Sequence, residues 1–135
     1  MKVAIADSSG LVLSRLVKLL SEITGIRIVS EGLSLDTVFN QVEFNSPDIV
    51  VLDTWLFQCA DFPLLRNLKE RFPKVRVILL SDEFYSVSPQ IFLDSGADFI
   101  FNKASGMEKF LNTIEDLEHG GTSFSPQDFI FGDDR

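Results

Sequence analysis

Two runs, Ile49-Val50-Val51-Leu52 and Val77-Ile78-Leu79-Leu80, are apolar without a break and rich in β-branched residues. A strand with one wet face alternates apolar with polar side chains, so an unbroken run is buried on both faces. That is the condition of a parallel sheet covered by helices on either side. With three further short runs, strands are expected at Lys2–Ala6, Arg27–Ser30, Asp48–Leu52, Val75–Leu80 and Phe99–Phe101.

The segments between these runs carry helical spacing. Val12, Leu16, Leu19, Leu20 and Ile23 line one face of a first helix that stops near Thr24-Gly25. Ser34 is placed to cap a second, with Val38, Phe39 and Val42. Pro63 sits in the first turn of a third, with Leu64, Leu65, Leu68 and Phe72. Ser88-Pro89 opens a fourth that Gly96 stops, and Met107, Phe110, Leu111, Ile114 and Leu117 mark a fifth. Regular β-α alternation predicts an α/β, doubly wound sheet of five strands and five helices.

The chain has 135 residues, 45% of them apolar, which suits one domain with a real core. The domain is expected over 1–118, with a tail or linker remnant at 119–135 that contains the apolar patch Phe129-Ile130-Phe131. Twenty acidic against twelve basic residues leave a net charge of −8. Such a surface repels phosphate backbones and anionic lipid, so neither direct nucleic-acid binding nor membrane binding is expected. The single cysteine, Cys59, rules out an internal disulfide and fits a reducing cytoplasm. The opening run meets Asp7 too soon for a signal peptide, and no stretch is long enough to span a bilayer. A cytoplasmic protein is expected.

Open parallel sheets collect ligands at the carboxyl ends of their strands. The residues at those ends are Asp7 after strand one, Asp53 after strand three, Ser81 after strand four and Lys103 after strand five. A carboxylate at a buried strand end is costly unless a cation, donor or metal compensates it. Two carboxylates, a hydroxyl and an ammonium at matching ends therefore predict one site.

These residues, with Ile5-Ala6-Asp7-Ser8, Val50-Val51-Leu52-Asp53, Leu79-Leu80-Ser81 and Gly96-Ala97-Asp98 leading to Lys103, make the chain resemble the receiver domain of two-component response regulators. The resemblance covers about Lys2 to Leu117. Gly120-Gly121-Thr122-Ser123-Phe124-Ser125-Pro126 is similar to the linker that precedes a helix-turn-helix output domain in one receiver subfamily. The resemblance implies the flavodoxin-like strand order 2-1-3-4-5. It implies Asp53 as phosphoacceptor, with a histidine kinase or phosphotransfer protein as donor. It further implies Mg2+ held by Asp7, Asp53 and the backbone carbonyl of Trp55. Lys103 would pair with Asp53 and then with a phosphoryl oxygen, and Ser81 would bind the phosphoryl group and shift inward. Catalysis would go no further than self-phosphorylation from a phosphodonor and autodephosphorylation. A downstream protein, or a second copy in a homodimer, would meet the face of helix four, strand five and helix five. Phe84, Tyr85 and Phe92 are expected to add aromatic surface near that face.

The chain departs from the family pattern in five places. Ser8 stands where receivers carry a second acid, and a hydroxyl is a poor substitute on a hard cation, so weak Mg2+ binding is expected. Asp82 follows the switch hydroxyl and is expected to repel an incoming dianion. Ile100 replaces the switch aromatic, with Phe99 and Phe101 on the opposite face of the pleat. Leu56 to Asp61 replace a glycine-containing loop, and Ala104 replaces the commoner proline. These departures keep open a degenerate receiver that acts as a phosphorylation-independent interaction module. From other classes, an FMN carrier lacks its phosphate-cradling loop here. A phosphatase with Asp7 as nucleophile would need an acid where Ser9 stands.

Overall fold

The computed structural model describes residues 1–57, 62–82 and 88–120. Cys59, Phe84, Tyr85 and the patch Phe129–Phe131 therefore lie outside the described residues. Five parallel strands, β1 (Lys2–Ala6), β2 (Arg27–Gly32), β3 (Ile49–Asp53), β4 (Arg76–Ser81) and β5 (Phe99–Asn102), form one sheet in the order 2-1-3-4-5. Helices α1 (Gly10–Ser21), α2 (Leu35–Asn45), α3 (Phe62–Arg71), α4 (Pro89–Asp94) and α5 (Met107–Glu118) connect and cover them. This is the flavodoxin-like order, and the strand sequence reverses between β1 and β3.

The unbroken apolar runs feed two cores at once. Val50, Leu52, Val77, Leu79 and Ile100 pack with residues of α2, α3 and α4. Ile49, Val51, Ile78, Leu80, Phe99 and Phe101 pack on the other face with α1 and α5. The pleat thus separates Ile100 from its two phenylalanine neighbours, as the alternation requires.

Ser34 and Ser88 cap α2 and α4 through bonds to the amides of Thr37 and Gln90. Ser9 caps α1 in the same way, accepting from Val12 N–H. The first helix ends at Ser21, before the expected stop, and Gly25 makes the turn into β2 with a positive φ of 90°. Strand β3 starts at Ile49 and includes Asp53. Asp48 lies just before it, accepting Lys2 N–H at 2.8 Å. Phe92 is not surface aromatic: it is buried, edge-on to Phe57 and Phe62 with centroids 5.8 and 5.1 Å away. Its place on the core side of a short amphipathic helix accounts for this.

Asp98, in the Gly96-Ala97-Asp98 turn, ties α3 to the sheet. One of its oxygens takes Lys69 Nζ at 2.9 Å and Val77 N–H at 2.8 Å, and Lys69 also donates to the Val75 carbonyl at 2.7 Å. Asp98→Ala leaves an ammonium and an amide short of their partner and is expected to cost about 2 kcal/mol. Urea denaturation should show the midpoint fall with the slope unchanged.

Candidate functional site

The site forms at the reversal point, where the carboxyl ends of β1 and β3 lie side by side. Asp7 follows the last residue of β1, and its amide donates to the Gly32 carbonyl at 3.1 Å. Its Oδ1 accepts the amide of Ser9 at 2.9 Å, a local loop that the Ser9 cap on α1 continues. Asp53 ends β3, and its Oδ1 accepts the amide of Trp55 at 3.2 Å. Trp55 belongs to a single 3-10 turn, Thr54–Leu56, so the backbone holds that carboxylate from its C-terminal side.

Lys103 comes from the turn between β5 and α5 and binds both acids. Its Nζ lies 2.8 Å from Asp7 Oδ2 and 2.9 Å from Asp53 Oδ1. Asp53 Oδ2 takes the hydroxyl of Ser8 at 2.6 Å and the amide of Ser8 at 3.2 Å. Every oxygen of the two buried carboxylates therefore faces a donor or a cation. Asp7 Oδ2 is the least well served, because its contact with Lys103 is an ion pair without a well-directed hydrogen bond.

Two acids and one ammonium leave these three side chains with a net charge of −1. Burial raises the affinity of Asp7 for its proton, helped by the neighbouring charge of Asp53, against the opposing pull of Lys103 and the Ser9 amide. Burial pulls Lys103 the other way, but its bonds to Asp7 and Asp53 and their charges prevail and hold its pKa above the ordinary lysine value. The ammonium is thus the fixed positive centre of the site.

Three of the four predicted side chains meet: Asp7, Asp53 and Lys103. Ser81 does not reach Asp53. Its hydroxyl donates to the Asp82 carbonyl at 3.4 Å, and its own carbonyl receives the Lys103 amide at 2.8 Å. The sequence reading takes Ser8 as a deficient metal ligand and misses it as a hydrogen-bond donor to Asp53. The signal available was its place directly after Asp7, in the loop that follows the strand beside β3.

Mg2+ wants oxygen donors, and the two carboxylates, with the peptide carbonyl of Trp55 on the adjoining turn, supply the right chemistry. The buried Asp7 Oδ2, with its ion pair alone, is the atom best suited to a cation. Among the described residues, however, no three acid, histidine or cysteine side chains converge. The donors present fit a divalent cation, with the two carboxylates as its charged ligands.

The sequence pattern of the response regulator receiver domain matches residues 3–115. The chain belongs to the response regulator receiver family. This receiver is 22% identical to the response regulator GacA of Pseudomonas aeruginosa over 93% of its length and spans 59% of that protein. It is 29% identical to a Ycf55-like protein of Synechocystis over 89% of its length, spanning 22% of it. The receiver thus matches only part of each of these longer relatives. Among solved structures it is similar to the isolated REC domain of RcsB from Salmonella enterica serovar Typhimurium, solved with the phosphomimetic BeF3-. The TM-score is 0.76, with 22% identity and 94% of each chain covered. A LuxR-family regulator from an Aurantimonas species gives a TM-score of 0.77 at 20% identity, covering 93% of this chain and 90% of that one. These likenesses bear on the fold, which they share. No helix among the described residues is long and apolar enough to cross a membrane.

Proposed function

We propose that this receiver accepts a phosphoryl group on Asp53 and that the modification switches its binding to a protein partner. The observation that carries the reading is the convergence of Lys103 on Asp7 and Asp53, with Asp53 presented at the reversal point of the sheet. The donor would be a phosphohistidine of a histidine kinase or phosphotransfer protein in the cytoplasm. A carboxylate oxygen of Asp53 attacks phosphorus, the bond from phosphorus to the histidine nitrogen breaks, and its electron pair leaves with the imidazole. The product is an acyl phosphate.

Oδ1 carries Lys103 and the Trp55 amide, whereas Oδ2 carries only Ser8. Rotation of the Ser8 hydroxyl uncovers Oδ2, which makes it the attacking atom, and the need for that rotation slows uptake. Lys103 then follows the new charge onto a phosphoryl oxygen, and Ser81 turns from the Asp82 carbonyl toward it. Asp7, Asp53 and the Trp55 backbone carbonyl would hold Mg2+, the cation receiver domains bind at this site. When bound, it neutralises charge on the transferring group. The rest of the work is positioning, since the protein supplies little covalent chemistry beyond the nucleophile. The altered surface would be the α4–β5–α5 face, open to a downstream protein or a second copy.

Intact mass after incubation with acetyl phosphate and Mg2+ tests this reading. A gain of one phosphoryl group supports it, and an unchanged mass refutes it in favour of a phosphorylation-independent module.

The same reading makes Mg2+ binding weak, because Ser8 occupies the place of the second acid. Ser8→Asp supplies a third carboxylate and is expected to tighten Mg2+ on the order of tenfold. Quenching of Trp55, the single tryptophan, reports the titration. Equal affinities for the two proteins would show that Ser8 is not what the site lacks.

A further inference from the structure

Lys103 has a long, flexible side chain, yet it must meet two carboxylates that come from different strands. Holding such a chain on two partners loses rotamer entropy, and any freedom in its backbone adds to that loss. The turn that carries it is held unusually firmly on both sides. Asn102, the last residue of β5, is 9% exposed. Its Oδ1 accepts the amide of Ala104 at 2.8 Å and that of Ser105 at 3.0 Å, so the side chain arches over Lys103. Its backbone carbonyl accepts the amide of Gly106 at 2.8 Å. A Cβ on Gly106 would lie 2.9 Å from that carbonyl oxygen and 3.0 Å from the Asn102 nitrogen, so only glycine lets the loop close this tightly. The Lys103 amide itself is bound to the Ser81 carbonyl at 2.8 Å.

We infer that Asn102 is a positioning residue for Lys103: its side chain locks the turn after β5 so that the ammonium reaches Asp7 and Asp53 together. Ala104 cannot stiffen the chain as a proline would, and Asn102 does so by capping two successive amides from inside the loop. Asparagine suits the task because its carbonyl oxygen accepts two bonds without adding charge beside the ammonium. A hydrophobic residue at this strand end would leave both amides unmet. The catalytic consequence rests on the phosphoacceptor reading, while the positioning itself does not.

The test is reductive methylation of surface amines, read residue by residue by peptide mass spectrometry, on the wild type, Asn102→Ala and Asn102→Asp. Lys69 is the matched control, since its side chain, like that of Lys103, is 19% exposed and paired with an acid. Asn102→Ala removes both acceptor bonds and should raise labelling of Lys103 at least roughly fivefold, the weight of a single hydrogen bond, and leave Lys69 unchanged. Asn102→Asp keeps both acceptor bonds, and its added charge also favours the ammonium, so Lys103 should label no faster than in the wild type. The initial rate of phosphoryl uptake from acetyl phosphate should fall roughly tenfold in Asn102→Ala. Parallel increases at Lys103 and Lys69 would mean general loosening and would overturn the inference, as would no change at Lys103. If the wild type takes up no phosphoryl group while Lys103 follows the expected pattern, Asn102 keeps its positioning role and the phosphoacceptor reading falls.

Discussion

Asp53→Asn is expected to abolish phosphoryl uptake while leaving the fold in place. The amide oxygen of asparagine can still accept from Lys103 and from the Trp55 amide, the two bonds that Oδ1 now holds. The amide nitrogen would face Ser8, whose hydroxyl turns to accept where it now donates at 2.6 Å. The contact with the Ser8 amide is lost, but one of two buried like charges goes with it. The net charge of the three groups rises from −1 to zero, so the melting temperature should hold or rise. An amide is no nucleophile toward phosphorus. Ser8 does not take over, because the base beside its hydroxyl was the Asp53 carboxylate itself. Intact mass should show no gain for the variant under conditions that modify the wild type, with coincident circular dichroism spectra. A modified variant would place the acceptor elsewhere.

Lys103→Met has the largest expected effect on stability. It leaves two buried carboxylates facing each other without their cation, a loss of about 3 kcal/mol at neutral pH. Methionine fills the same volume, so the loss comes from charge rather than packing. The pH dependence gives the signature. The pKa of Lys103 is raised in the fold, so its stabilising contribution is complete below its ordinary value of 10.5. It is lost only as pH climbs through the raised one. In the variant the buried Asp7 carries the penalty, and because burial already holds its pKa above the ordinary 3.8, that penalty fades as pH falls from the raised value to the ordinary one. The gap between wild type and variant in urea midpoints should be widest from neutral to mildly alkaline pH and shrink on the acid side. A gap independent of pH would point to packing.

Much of this was legible in the chain. Ile49–Leu52 and Val77–Leu80 announced two-sided burial, and the two packed cores on opposite faces of β3 and β4 are its physical form. Ser34 and Ser88 announced their caps because a short hydroxyl side chain before an apolar period has few other uses. The strand ends brought Asp7, Asp53 and Lys103 together, since a carboxylate there needs a cation. What stayed hidden depended on rotamers and on contacts between distant segments. Ser8 could be read as a missing acid, but its bond to Asp53 requires the register of β1 against β3. Asn102 lies just past the expected fifth strand, and only its two amide partners reveal its role. Phe92 is expected at the surface only through the likeness to the partner-binding face of receivers, and its contacts with Phe57 and Phe62 put it inside.

The most direct measurement is chemical location of the acyl phosphate. Protein treated with acetyl phosphate and Mg2+ is reduced with borohydride, which converts an aspartyl phosphate to homoserine, and the digest is read by tandem mass spectrometry. Homoserine at position 53, absent without phosphodonor, is the predicted result. An intact aspartate at that position in protein that has gained phosphate, or homoserine at another site, would contradict the assignment of Asp53 as the acceptor.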